Sequence, residues 1–370
     1  MKKVAFLITR SDEIGGAHIH VRDLCISLKK DNYNPVVIVG GSGLYIDELK
    51  KNDIPFIQSS IIKREINIID DIRSIIFLIK LLNSIKPTFI SSHSAKAGFL
   101  LRVSSLIYRS STIIFTAHGW SFSYGIPFFK RVLYYLVELI LGRLADAIIT
   151  VCHSDYNLAL KYKITSKNKL FCIHNGMPIK SYQLKKFSSI NKVKFISVAR
   201  FENQKDHYSL IKSFSKVSSD DWELLLIGDG PNKSYIQEMV CKYNLQDKIY
   251  FLGRSSNVET YLNNSDVFIL SSLWEGFPRS IIEAMRSSMP IIATDVGGCK
   301  ESVIHSYNGY LYKRKNITEL TRYIQMFINN KNLISIFGNN SFDLYKEKFT
   351  YETMYKNTKN IYTKLEASSK

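Results

Sequence analysis

Short apolar runs alternate with longer amphipathic stretches along this chain, and the whole alternation occurs twice. Lys3–Thr9, Pro35–Gly40, Phe89–Ser94 and Thr112–Gly119 read as strands, while Ala17–Lys29, Asp70–Ile85 and Pro127–Leu144 read as helices. Strands separated by helices are joined by crossovers, which makes the sheet parallel. The pattern restarts at Lys192–Arg200 and runs on through Trp222–Gly230, Lys248–Gly253, Asp266–Ser272 and Pro290–Val296. Two such series imply two doubly wound α/β domains, and 370 residues is an ordinary length for that. The expected layout is a first domain over residues 1–180, a polar, lysine-rich linker over 181–191, and a second domain over 192–345, with residues 346–370 packing as a helix back towards the first domain. No repeat with a period of about 20–50 residues occurs, which excludes solenoids and propellers.

Lysine and arginine number 50 against 32 aspartate and glutamate, a formal net charge of +18. The excess is concentrated in the first half: eight basic residues and no acid between Ile72 and Val137, then nine lysines and no acid between Lys161 and Lys194. Such a surface suits phosphates, anionic lipid headgroups or nucleic acid, or is a plain solvated face. Cys25, Cys152, Cys172, Cys241 and Cys299 are scattered, with no Cys-x-x-Cys pair and no zinc-like spacing, and read as reduced core residues. The first ten residues hold too few apolar side chains for the core of a signal peptide and read as strand. Phe128–Val151 is the most membrane-like stretch, yet Lys130, Arg131, Glu138, Arg143 and Asp146 interrupt it. It is too charged to span a bilayer. It reads either as a buried core helix or as one lying in the bilayer interface, with Phe128 and Phe129 inserted and Lys130 and Arg131 at the headgroups.

In doubly wound folds ligands gather at the carboxyl ends of the strands, and the polar motifs of this chain cluster there. Gly15 and Gly16 follow the first strand and open a helix, where backbone N–H groups can approach a diphosphate. His118, with Gly119 after it, ends the Thr112 strand, and His93 with Lys96 ends the Phe89 strand. Arg200 ends the first strand of the second series and Lys205 follows five residues later, so a guanidinium fork and an ammonium can share one diphosphate. Gly228, Asp229, Gly230 and Pro231 form a tight turn after a buried strand, and Gly253 with Arg254 ends the next. Glu275 and Glu283 lie eight positions apart, the first in a loop with Gly276 and Phe277, the second in the helix that follows. Two carboxylates so placed suit hydroxyl groups of a sugar and a ribose. Glu283 sits among Ile281, Ile282, Ala284 and Met285, so its carboxylate is expected to have a partner. Gly297, Gly298 and Glu301 form one more small-residue loop at a strand end.

Taken in order, Gly15-Gly16, His118-Gly119, Asn175-Gly176, Arg200, Lys205, Gly228-Asp229-Gly230 and the Glu-x7-Glu pair Glu275 and Glu283 resemble the retaining glycosyltransferases of family 4. That resemblance implies the GT-B fold, two Rossmann-like domains facing each other across a cleft, with the acceptor on the first and a nucleotide sugar on the second. It implies a catalytic set of His118, Glu275, Arg200 and Lys205. Arg200 and Lys205 would hold the donor diphosphate, with the Gly15-Gly16 loop closing over it. Glu283 would take the ribose hydroxyls, and Glu275 with the Gly276 and Phe277 backbone the donor sugar. Gly228, Gly253 and Arg254 would complete the donor site, and His93 and Lys96 would meet the acceptor. In such enzymes the leaving phosphate helps to deprotonate the acceptor on the face it leaves from, so the anomeric configuration is retained and no carboxylate nucleophile is needed. The Asp-x-Asp pair of metal-dependent transferases does not occur, so no metal is expected.

Within the family, Gly15–Leu24, Ser91–Gly98 and Thr116–Phe122 resemble bacterial enzymes that extend a polyprenyl-diphosphate-linked sugar for O-antigen or capsule. This implies a UDP-sugar donor (GalNAc, GlcNAc or another hexose), an undecaprenyl-diphosphate-linked saccharide acceptor, and a peripheral place on the cytoplasmic face of the cell membrane. Arg279 departs from the smaller or apolar residue common there, which leaves donor selection open. A nucleotide-sugar 2-epimerase shares the architecture, but the Glu-x7-Glu loop and the long acid-free runs on the acceptor side argue against it. The lysine runs alone suggest a nucleic-acid-binding protein, without any recognisable binding fold for one.

Overall fold

In the computed structural model, which describes residues 1–123, 125–179, 191–255 and 257–368, the chain divides into two compact α/β units. One comprises Met1–Asn175 with Tyr355–Lys370, the other Gly176–Met354. The linker expected over 181–191 lies, Asn191 apart, outside the described residues.

The first unit runs β1 (Lys2–Ile8), α1 (Gly16–Lys30), β2 (Tyr33–Gly40), α2 (Leu44–Lys51), β3 (Phe56–Ser59), α3 (Ile68–Ile85), β4 (Phe89–Ser92), α4 (Ala95–Ser104), β5 (Thr112–Ala117), α5 (Phe128–Leu141), β6 (Ala147–Thr150), α6 (His153–Lys161) and β7 (Leu170–Cys172). Its seven strands are parallel, in the order β3-β2-β1-β4-β5-β6-β7. The middle strands are buried along their length rather than alternating, because helices cover both faces of the sheet: Val4 to Ile8 and Phe89 to Ser92 are buried without interruption. Side-chain caps start the helices where expected. Asn67 accepts from Ile69 and Asp70 N–H at the head of α3, and Ser94 from Ala97 N–H at the head of α4, each at 3.1 Å. Right-handed crossovers from β3 to β4 and onward to β5 and β6 put α3, α4 and α5 on one face of the sheet, with α4 packed against both neighbours.

The second unit runs β8 (Val193–Val198), α7 (His207–Phe214), β9 (Trp222–Ile227), α8 (Lys233–Lys242), β10 (Ile249–Gly253), α9 (Val258–Asn263), β11 (Val267–Leu270), α10 (Arg279–Arg286), β12 (Ile291–Thr294), α11 (Cys299–Ser302), β13 (Gly309–Tyr312), α12 (Ile317–Asn329) and α13 (Asn332–Lys348). Its six parallel strands are ordered β10-β9-β8-β11-β12-β13. Phe195, Phe214 and Trp222 form the aromatic centre of the core, Phe214 lying 4.6 Å from Trp222 and 5.2 Å from Phe195 between ring centroids.

The closing segment divides differently from the expected 346–370. Helix α13 reaches Lys348 in the second unit, and α14 (Tyr351–Ser368) belongs to the first unit from Tyr355 onward. Within the first unit the Tyr362 ring stacks on Phe89 at 4.9 Å, and Asp31 receives both the Tyr355 hydroxyl (2.7 Å) and the Lys359 ammonium (2.6 Å).

Strand order reverses once in each sheet, at β1/β4 and at β8/β11. The loops leaving those strand pairs diverge to opposite faces and open a crevice, where a ligand of this fold sits.

Candidate functional site

At the β8/β11 reversal of the second unit, the loop after β8 is stitched to the loop after β11. Leu273 N–H donates to Gln204 O at 2.7 Å, the Gln204 side-chain amide to Trp274 O at 2.8 Å, and the Ser271 hydroxyl to Lys205 O at 2.8 Å. These bonds bring the Lys205 ammonium onto the Glu275 carboxylate, which also accepts from the Ser272 hydroxyl at 2.5 Å. Both charges are largely shielded, Lys205 18% and Glu275 7% exposed. An ion pair this deep at a strand-order reversal is expensive to desolvate and is held in place by its surroundings. It offers a cation and a carboxylate at one point to a ligand carrying both phosphate and hydroxyl groups.

One glycine loop closes on this pair and a second on the end of β8, and each needs glycine for a steric reason. Gly297 has φ +49°, and a Cβ there would stand 2.0 Å from the Glu275 carbonyl oxygen; the next N–H, of Gly298, donates to Gly276 O at 2.7 Å. Gly228 has φ +144°, and its Cβ would stand 2.0 Å from Ala199 O. The backbone closeness that the sequence attributes to a ligand is thus partly a closeness to the chain itself. Phe277 faces inward, 5% exposed and 5.3 Å from Phe349, so only its backbone is offered to a ligand.

Arg200 is exposed just past β8 and pairs with Glu202 at 2.7 Å, leaving its guanidinium at the rim rather than beside Lys205's partner. Gly253 has open space around its Cβ position, and Arg254, also exposed, stands 4.0 Å from Asp229. Glu283 lies within α10. The partner expected for it is missing: among the described residues no hydrogen bond or ion pair reaches its carboxylate, and burial raises its pKa above the usual carboxylate value despite the opposing fields of Arg279 and Arg286. A half-buried carboxylate kept without a partner is costly unless a ligand supplies the donors.

In the first unit, Gly15 caps α1 and Gly16 begins it; Gly15 N–H donates to His18 Nδ1 at 3.1 Å, and His18 Nε2 meets Arg10 O at 3.0 Å, which folds the loop after β1 onto the helix start. The sequence assigns His93 to an acceptor surface; the structure places it 2% exposed beneath His118. Its Nε2 is 2.9 Å from Ser91 Oγ and its Nδ1 3.3 Å from His118 Nε2. Burial holds its pKa well below that of free histidine, with His118 adding to the effect, so it stays neutral. His20, on the buried face of α1, completes a cluster with ring centroids 5.3 Å from His93 and 5.2 Å from His118. Sequence reading passed over His20; its only signal is an imidazole at a buried position of an amphipathic helix. His118 itself is half-buried at the mouth of this cluster. Lys96 is likewise redirected: it pairs with Asp71 and donates to Glu65 O at 3.1 Å. His93 is therefore a support for His118, held by one hydrogen bond on each ring nitrogen.

Residues 14–180 match the model for Glycosyltransferase Family 4, and residues 182–343 the model for Glycosyl transferases group 1, so the two together span most of the chain. The capsular polysaccharide biosynthesis glycosyltransferase CapM of Staphylococcus aureus is 25% identical over 350 residues, covering 90% of this chain and 91% of CapM. The UDP-Gal:alpha-D-GlcNAc-diphosphoundecaprenol alpha-1,3-galactosyltransferase of Escherichia coli is 25% identical over 272 residues, 69% of this chain and 70% of that enzyme. Among solved structures, Anabaena HepE in complex with UDP-glucose superposes with a TM-score of 0.84 at 19% identity, covering 98% of this chain and all of that one, a likeness of fold.

Proposed function

Because the chain belongs to the family 4 glycosyltransferases, with their two Rossmann-like units, we propose that it transfers a hexose or N-acetylhexosamine from a UDP-sugar, with retention of configuration, onto a polyprenyl-diphosphate-linked saccharide in surface polysaccharide assembly. The observation that carries the donor half is the Lys205–Glu275 pair at the strand-order reversal, with the Glu283 carboxylate, unpartnered among the described residues, eight positions onward in the same motif. HepE was crystallised with UDP-glucose, and the E. coli relative is named for a UDP-galactose donor and a lipid-diphosphate acceptor, which supports a UDP-sugar and an acceptor of that class. CapM, named for capsule, supports the polysaccharide setting.

On this reading Lys205 neutralises the diphosphate as the glycosidic bond lengthens, the charge growing where that cation already stands, and Arg200 reaches the diphosphate from the rim. Glu275 exchanges part of its interaction with Lys205 for a hydroxyl of the donor sugar, and Glu283 receives the ribose hydroxyls. The departing phosphate oxygen takes the acceptor proton on the face it leaves. Cationic side chains replace the divalent metal, so EDTA should leave turnover within about twofold, with magnesium giving no rescue beyond that; a strict magnesium requirement contradicts the metal-free reading.

The test is to incubate the protein with UDP- and GDP-sugars and a polyprenyl-diphosphate-GlcNAc or -GalNAc acceptor, then follow product mass and anomeric configuration. An α-linked product from an α-donor supports the proposal, an inverted one refutes retention, and donor epimerisation without acceptor identifies a 2-epimerase instead.

A further inference from the structure

The α3–α4–α5 face of the first unit has its polarity reversed. An ordinary surface helix turns apolar residues inward and polar ones to water. In α5 the buried position Glu138 is charged: it makes a two-point ion pair with Arg102 of α4 at 2.8 and 3.1 Å, the guanidinium lying 4.2 Å over the Phe115 ring. The outward stripe of α5 is apolar, with Phe128, Phe129, Leu133, Leu136 and Ile140 exposed, Phe129 by 86%. Helix α3 has two apolar stripes. Leu78 and Leu82 face the core, whereas Ile68, Ile69, Ile72 and Ile76 face solvent. Of the twenty-three exposed large apolar residues among those described, thirteen fall between Ile66 and Ile140, so this is one patch rather than scatter.

The charges around it are predominantly positive: Glu65 is exposed at its start, while Asp70 and Asp71 are paired with Lys63 and Lys96. Arg73, Lys80, Arg109 and Lys130 are exposed, Lys96 and Arg102 are turned inward to their acids, and no acid occurs between Ile72 and Val137. Two copies joined through this face by a twofold axis would set cation against cation. An anionic bilayer meets both features at once, the side chains entering the acyl boundary and the ammonium and guanidinium groups reaching the headgroups. Among the described residues no helix is long and apolar enough to cross a membrane, so the contact is one of lying on the surface.

We propose that the α3–α4–α5 face is a docking surface for anionic phospholipid bilayers, with Phe128 and Phe129 inserted and Lys130 among the cations at the headgroups. This deepens the reading of a lipid-linked acceptor, since it brings the first unit to the plane in which such an acceptor lies.

Vesicle flotation tests it with the full chain, using phosphatidylcholine alone and phosphatidylcholine mixed with phosphatidylglycerol. The protein should float with the mixed vesicles, at least about tenfold more than with phosphatidylcholine alone, and release as salt rises. Joint replacement Phe128→Ser and Phe129→Ser should lower partitioning about tenfold or more, and Lys130→Glu should weaken it only on anionic vesicles, while turnover of a detergent-dispersed acceptor stays unchanged. No flotation with either vesicle overturns the proposal, as does a dimer in analytical ultracentrifugation that the Phe128/Phe129 replacement dissociates, which would make this face a contact between copies. Failure to float with intact turnover in detergent sinks this inference alone; flotation without transfer to any acceptor sinks the functional reading alone.

Discussion

Glu283→Gln should reduce kcat/KM about a hundredfold or more and leave the unliganded protein as stable as the wild type, or more so. The two effects have opposite signs because they come from the same carboxylate in two states. With no hydrogen-bond or ion-pair partner among the described residues, its burial raises the pKa above that of a free glutamate. The folded state therefore binds the proton more tightly than the unfolded chain does, so the group costs stability as pH rises through its folded pKa and costs nothing well below the unfolded value. Gln carries no charge and removes that penalty, so the melting temperature at pH 7–8 should equal or exceed that of the wild type, with the difference disappearing near pH 4. In the liganded state the carboxylate would accept two ribose hydroxyls, each charge-assisted bond contributing about 1.5–3 kcal/mol, and the amide replaces them poorly. Differential scanning fluorimetry with and without UDP-sugar, beside initial rates, reads both. Near-normal turnover in Glu283→Gln would show that the ribose is held elsewhere.

Lys205→Ala should lower turnover about a thousandfold and also destabilise the fold, by about 3 kcal/mol. The rate loss is that of a cation aimed at charge developing on the diphosphate. The stability loss follows because Glu275 is then left with the Ser272 hydroxyl alone in a shielded position, and breaking a buried pair by removing one partner strands the other charge. Adding Glu275→Gln should recover most of the stability and none of the activity. If the double variant stays as unstable as Lys205→Ala, the pair is not coupled as the geometry indicates. If Lys205→Ala keeps wild-type turnover, the diphosphate does not bind here.

Much of the fold was legible because period and burial act locally. Helices covering both faces of a parallel sheet favour apolar residues on both sides of a middle strand, so Val4–Ile8, Val267–Leu270 and Ile291–Ala293 announce themselves as short unbroken runs. Helix starts at Asn67 and Ser94 are likewise local, written in a single side chain. Candidate residues at strand ends followed from the same reasoning, since a doubly wound sheet presents its ligand there.

What the individual candidates do was not legible, because partners are set by residues distant in the chain. His93 and His118 lie 25 positions apart and Lys205 and Glu275 seventy, and nothing local indicates that the first pair shares a hydrogen bond and the second a charge. Lys96 looks available until Asp71 takes it, and Glu283 looks satisfied although among the described residues no hydrogen bond or ion pair reaches its carboxylate. The sequence by itself determined two parallel α/β units, the order of their strands' apolar runs and the residues at the strand ends, since each depends on neighbours within one element. Only the tertiary structure decided which of those side chains are buried, which are paired, and that Glu138 of α5 points inward while the helix's apolar stripe faces out. Those properties belong to crossovers and packing that bring remote segments within a few ångströms.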